Sequence, residues 1–306
     1  MTNNSERFTN EEAHVEVFRQ EINTSILRGK DYLHSIIEFG LCPEFHQLAH
    51  GPSLAWTSAC VGSTLAEFDE TPDALVEAMI SLQNLDGGWS YNQMVPSDAD
   101  TTLRVIQLFE KVGLDDKRIL LKAERFVLAH QNEDGGFSTY TSKALSSMKY
   151  QSGKGWTSSH PCVSALAINH LLDAEARERA QAFMNLHIDR IGPKSYWWRT
   201  PRYVGYEQGL EVDSDIDAHD PVDIALDLLT KANGNRRGDS MTRTLIQLQT
   251  SGGGFIPNRQ FRIPRPDKLL EELTGEDEIV LDQKGILSTC AAIIALNRQC
   301  KLLLAS

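Results

Sequence analysis

Three stretches of the chain carry the apolar spacing of a helix and run into the same signature. They are residues 74–82, 123–129 and 244–248, with Leu75, Met79 and Leu82, then Phe126 and Val127, then Leu245 and Leu248 among their apolar positions. Each leads into a Gln, five residues and an aromatic, with paired glycines before the aromatic. The copies are Gln83-Asn-Leu-Asp-Gly-Gly-Trp89, Gln131-Asn-Glu-Asp-Gly-Gly-Phe137 and Gln249-Thr-Ser-Gly-Gly-Gly-Phe255. Glycine ends a helix because it takes the left-handed conformation without steric cost. A second set of helices should follow these turns, with candidates at residues 56–68, 98–112, 161–172, 221–229 and 288–303. This set is richer in Ala, Ser, Thr, Val and Ile, which suits helices packed closely around a common centre.

Helix, glycine-rich turn and helix, repeated along the chain, make a solenoid of hairpins. Such an array must cap its ends or close on itself, and closure into an inner ring of helices within an outer ring is the expectation. The fold class is therefore all-α, an (α/α) toroid in a single domain spanning residues 1–306. Residues 1–50 are expected as an N-terminal helical extension packed on it. Strand signals are sparse; residues 255–263 alternate enough for small strands in a loop.

The segment Gln-Asn-x-Asp-Gly-Gly-Trp resembles the QW motif of the squalene-hopene cyclase and protein-prenyltransferase superfamily. In that family the Gln braces a helix end and the aromatic stacks on it, which implies the pairs Gln83–Trp89, Gln131–Phe137 and, more loosely, Gln249–Phe255. The third copy lacks the Asp. After Trp89, the run Ser97-Asp98-Ala99-Asp100-Thr101-Thr102 is similar to the DxDD segment of class II terpene cyclases. There the middle Asp is the general acid that protonates an alkene or epoxide. The resemblance implies Asp100 as that acid and Asp98 as its supporting carboxylate, with Thr101 where the last Asp of the motif would stand.

Protonating an alkene requires a carboxyl group that keeps its proton near neutral pH. Burial and a like-charged neighbour push a carboxyl pKa up, whereas a helix N-terminus favours the charged form. The same residues also read as a helix cap, with Ser97 or Asp98 at the N-cap and Pro96 fixing the approach. A cavity for carbocations needs aromatic walls. Trp56, Tyr91, Trp156, Trp197 and Tyr203 lie at or near the expected inner-helix starts, with Trp198 and Tyr206 close by. Thr101 and His160 complete the candidate substrate-binding set; His160 could reach Asp100 across the lumen or serve the structure alone. Arg262, in the run Arg259, Arg262, Arg265, is the candidate for orienting an anionic head group. Arg199 with Arg202, and Arg236 with Arg237, are two further basic pairs. Residues 207–223 read as an acidic loop.

The 306-residue chain has a formal net charge of −12, which argues against nucleic acid as its main partner. The N-terminus lacks the basic and apolar regions of a secretory signal, and no stretch approaches the ~18 apolar residues of a membrane span. The five cysteines are widely spaced and form no CxxC, as in a reduced, cytoplasmic protein without a zinc site.

These features lead to a class II terpene cyclase-like enzyme. It would act on a hydrophobic, isoprenoid-like small molecule, with no cofactor needed for the protonation step. A lone toroid is open at one end, which dimerisation or a peripheral membrane contact would close. The alternatives are a non-catalytic toroid that binds a hydrophobic ligand or a partner, and a cyclase of different chemistry on the same scaffold.

Overall fold

The computed structural model describes residues 4–45, 51–148, 153–274 and 278–305. Its helices are α1 (Asn4–Ser35), α2 (Ala55–Ala66), α3 (Asp73–Ser81), α4 (Ala99–Lys111), α5 (Lys117–Leu128), α6 (Ser142–Ser147), α7 (Lys154–Thr157), α8 (Pro161–His170), α9 (Ala174–Ile191), α10 (Arg202–Glu207), α11 (Pro221–Asn233), α12 (Asp239–Gln247) and α13 (Ile286–Ala305). Two short antiparallel ladders accompany them. One pairs β1 (Trp89–Ser90) with β2 (Ser97–Asp98), the other β3 (Arg262–Ile263) with β4 (Glu278–Ile279). Only the second falls in the stretch where alternation is visible in the sequence.

The helices close into a ring. α2 packs on α4, α4 on α8, α8 on α10, α10 on α11, α11 on α13, and α13 back on α2. Outside them, α3 lies on α2, α5 on α4, α9 on α8, α12 on α11, and α1 on α13 and α12. The two rings differ in pattern for a physical reason. α2 is buried over nearly its whole length, so small and apolar residues occupy every face. α5 buries only Ile119, Ala123 and Val127, one residue per turn, and turns charged residues outward. α13 is long and apolar enough to cross a membrane by length and composition, contrary to the sequence expectation, but most of it is buried inside the ring.

The three glutamine turns are the joints. In each, the side-chain amide donates to a carbonyl of its own turn and to one on the next outer helix. Gln83 reaches Gly87 O at 2.9 Å and Ile119 O at 3.0 Å. Gln131 reaches Gly135 O at 2.9 Å and Ala176 O at 2.8 Å. Gln249 reaches Gly253 O at 2.7 Å and Ser25 O, on α1, at 2.8 Å. The first glycine of each pair has φ near +90°, and a Cβ there would meet Lys122 O, Arg179 O or Arg28 O at 2.5–2.6 Å. Both conformation and space therefore demand glycine. The second glycine faces an aromatic ring of the same neighbouring helix: Phe126, Phe183 or Tyr32.

The aromatic at the end of each turn is tied inward. The backbone N–H groups of Trp89, Phe137 and Phe255 donate to Thr102 Oγ1, Ser164 Oγ and Thr289 Oγ1, at 3.0, 2.8 and 2.9 Å. Each acceptor is the fourth residue of its inner helix, so the turn fixes where that helix begins. Cys42 N does the same with Ser58, the fourth residue of α2, at 2.8 Å.

Candidate active site

Asp98 ends β2 and caps α4. Its carboxylate accepts Thr101 N at 2.7 Å, Thr101 Oγ1 at 2.8 Å and Tyr91 N at 3.0 Å. Burial pushes its carboxyl up to about 7, against the pull of these three donors, and the neighbouring Asp100 raises it further. The cap reading of the sequence therefore describes Asp98. Thr101 is committed to the same cap by both its donors.

Asp100 is different. It sits in the first turn of α4, deep within the ring of inner helices, yet its side chain keeps partial solvent access. Burial pushes its carboxyl up to about 6; Arg104 and the Trp56 indole pull it down, and Glu207 pushes it up. The Trp56 indole Nε1 lies close to this carboxyl without completing a hydrogen bond, and it has no other partner.

Around Asp100 the walls are aromatic. Trp56 packs on Phe45, Trp198 and Phe261 with ring centroids 6.2, 6.2 and 5.5 Å away. Trp198 stacks on Tyr203 at 4.6 Å and 7°. Cys60 from α2, Cys162 from α8, and Tyr203 and Glu207 from α10 complete the surroundings of Asp100 and Arg104. Of the residues singled out from sequence, Asp98, Asp100, Thr101, Trp56 and Tyr203 thus meet in one place. Tyr91 joins them at the rim through its bond to Asp98, its phenol lying near Ser53 and Glu44.

Trp156, His160 and Trp197 form a second cluster. His160 is fully buried and stacks on Tyr196 at 4.0 Å and 10°. Its Nε2 lies 2.8 Å from Gly155 O, so that nitrogen carries the hydrogen; Nδ1 then accepts from Thr139 Oγ1 at 2.8 Å. Thr139 Oγ1 in turn accepts Trp197 Nε1 at 2.8 Å. Burial holds the imidazole well below its usual range, near 3. Both ring nitrogens are thus engaged, so of its two readings His160 follows the structural one and does not reach Asp100. Trp156 Nε1 donates to Pro264 O at 2.9 Å. The two clusters are joined by the adjacent Trp197 and Trp198, and by Ala99 N donating to Thr139 O at 3.0 Å.

The arginine runs do not converge on the site. Arg262 donates from Nε to Tyr196 O at 2.9 Å and from Nη2 to Ser195 O at 2.6 Å, latching β3 to the 195–198 segment. Arg265 pairs with Asp267, Arg237 with Asp239 and Arg236 with Glu211. Arg202 is buried between Asp223 and Asp227 and donates to Ser214. A surface pocket of about 280 Å³ beside Arg202 sets Lys231 and Arg236 against Glu211, Asp213 and Asp227, so it carries no excess of positive charge.

Sequence reasoning missed α10 as a member of the inner ring, and with it Glu207, read there as the start of a loop. It also missed Arg104. The available signal was its spacing, one helical turn after Asp100 on a helix otherwise rich in Thr, Leu and Val.

No family model matches the chain. A segment of 71 residues is 35% identical to drimenyl diphosphate synthase of Streptantibioticus cattleyicolor, covering 22% of this chain and only 13% of that protein. Solved structures match over far more of the chain. The type II terpene cyclase MstE of Scytonema superposes with a TM-score of 0.79 at 20% identity, covering 92% of this chain and 99% of that one. The fold is that of a type II terpene cyclase. An aspartate-to-asparagine form of MstE in complex with its substrate, geranylgeranyl dihydroxybenzoate, gives 0.79 at 19% identity over 94% and 99% of the two chains. A protein from Actinoplanes gives 0.79 at 21% identity over 91% and 99%.

Proposed function

We propose that this protein is a class II-type terpene cyclase in which Asp100 protonates an alkene of an isoprenoid-like chain. The observation that carries this reading is the contrast inside one motif. Asp98 is tied by three donors, whereas Asp100 serves no cap and keeps partial exposure within the ring of inner helices; burial raises both carboxyls, to about 7 and about 6. An apolar chain packed against Asp100 would exclude solvent and raise its value further.

The Asp100 carboxyl gives its proton to one carbon of the alkene, whose π pair forms the new C–H bond and leaves a tertiary cation. The next alkene supplies the electron pair for ring closure. The final cation loses a proton, so the net change is an isomerisation. Indole and phenol faces of Trp56, Trp198 and Tyr203 stabilise the passing positive charge. The step needs no metal or redox group. MstE is described in complex with geranylgeranyl dihydroxybenzoate as its substrate, which supports an isoprenoid-like substrate here. The five unpaired cysteines suit the reducing cytoplasm.

The test is incubation of purified protein with prenyl diphosphates, prenylated aromatic acids and squalene, followed by product analysis. Cyclised product from wild type, falling about 10³-fold or more in Asp100→Asn, is the expected result. Ligand binding without turnover by either protein, or full turnover by the variant, overturns the reading.

A further inference from the structure

Asp100 and Arg104 stand at i and i+4 on α4, the spacing at which an acid and a base on a helix ordinarily pair. Here they do not. The guanidinium makes its ion pair with Glu207 on α10, Nη2 to Oε1 at 3.9 Å. Nη2 also donates to Tyr203 Oη, and Nη1 to Gln107 Oε1 at 3.0 Å. The Arg104 guanidinium lies 5.5 Å from the Tyr203 ring centroid, and Tyr203 is itself clamped by Trp198. Glu207 is held from its other side by Asn169 Nδ2 at 3.0 Å. Arg104 and Tyr203 are both buried, so these contacts are poorly screened.

We propose that Glu207 and Tyr203 are positioning residues which turn the Arg104 guanidinium away from Asp100, so that the acid keeps its proton. This rests on the acid role of Asp100 proposed above. A guanidinium released toward Asp100 would form the ordinary helix pair and hold the carboxylate in its charged form, useless as an acid. The remaining groups around Asp100 cannot replace this control. Asp98 is committed to the cap, Trp56 offers a neutral N–H, and burial raises the thiols Cys60 and Cys162, which therefore stay uncharged. Arg104 is the one fixed cation among the groups that act on Asp100, and Glu207 is its counter-charge.

The experiment is a carboxyl titration by ¹³C NMR on aspartate-labelled protein, with the Asp100 signal assigned by its loss in Asp100→Asn. The expected result for Glu207→Gln is a fall of at least one pH unit in the Asp100 midpoint, with a tenfold or greater loss of cyclisation at neutral pH. Adding Arg104→Gln to Glu207→Gln should return the midpoint to the wild-type value or above it. Tyr203→Phe should move it in the same direction as Glu207→Gln, by less. An unchanged midpoint in folded Glu207→Gln, or a fall that Arg104→Gln does not reverse, overturns the proposal. The titration needs no substrate. Midpoints that move as expected in a protein that cyclises nothing leave this inference standing and remove the acid role; turnover with unmoved midpoints does the reverse.

Discussion

The two aromatic clusters of the lumen are built from similar residues and handled in opposite ways. Around His160 a directed chain runs from Trp197 through Thr139 and the imidazole to Gly155 O, with donors matched to acceptors. Around Asp100, two buried polar atoms, Trp56 Nε1 and Arg104 Nε, have no hydrogen-bond partner. Such atoms are costly to leave unmatched. The difference is one of satisfaction: the His160 side matches its polar groups among themselves, and the Asp100 side leaves polar groups unmatched, as the proposed chemistry there would require.

The sharpest way to break this comparison is to damage the satisfied side. Replacing His160 with Phe keeps a ring against Tyr196 but leaves the Thr139 hydroxyl hydrogen without its acceptor, while Gly155 O keeps its bonds from Ser158. The expected cost is about 1–3 kcal/mol of stability, read from denaturant unfolding, with the Asp100 titration midpoint unmoved. A shifted midpoint would mean that the two clusters are not independent.

The pH dependence sharpens the other side. The native protein holds the Asp100 proton up to about pH 6, whereas an unperturbed Asp releases it near 3.8. Between these values the native state binds more protons than the unfolded one, so this group's contribution to stability falls as pH rises. Asp100→Asn should match wild type in stability near pH 4 and exceed it by up to about 3 kcal/mol above pH 7, as measured by chemical denaturation across that range. The same ionisation should make cyclisation fall tenfold per unit above the midpoint.

The smallest expected effect is at Trp56. Its N–H favours the carboxylate form of Asp100. Trp56→Phe should therefore raise the Asp100 midpoint by a fraction of a unit and change stability by about 1 kcal/mol. A lowered midpoint would show that the indole acts on Asp100 by some other route.

The ring was largely legible in the sequence because its joints are local. Gln83, Gln131 and Gln249 each mark a turn, and the inner helices start within three residues of the positions expected from it. The partner half of each joint was not legible. Ile119, Lys122 and Phe126 on α5 repeat their spacing as Ala176, Arg179 and Phe183 on α9 and as Ser25, Arg28 and Tyr32 on α1. The first position contributes only its backbone carbonyl, and at the second Arg179 and Arg28 also donate from their guanidinium groups to turn carbonyls, Asn132 O and Thr250 O, contacts that no local spacing records. The candidate acid was readable from its motif, since the cap and Asp100 are two residues apart. The surroundings of Arg104 were not, because it meets Tyr203 and Glu207 across about a hundred residues of chain, and no local pattern records where a guanidinium turns. The two readings of His160 stayed open for the same reason: its partner Thr139 becomes visible only once α8 is placed beside the preceding turn.

The joint between Gln249 and α1 has a consequence for assembly. α1 receives its seat from a turn more than two hundred residues further along the chain, and from α13, further still. The apolar stripe of Phe18, Ile22 and Ile26 is therefore covered only when those distant segments are in place, and closing the circle is a long-range event that slows folding.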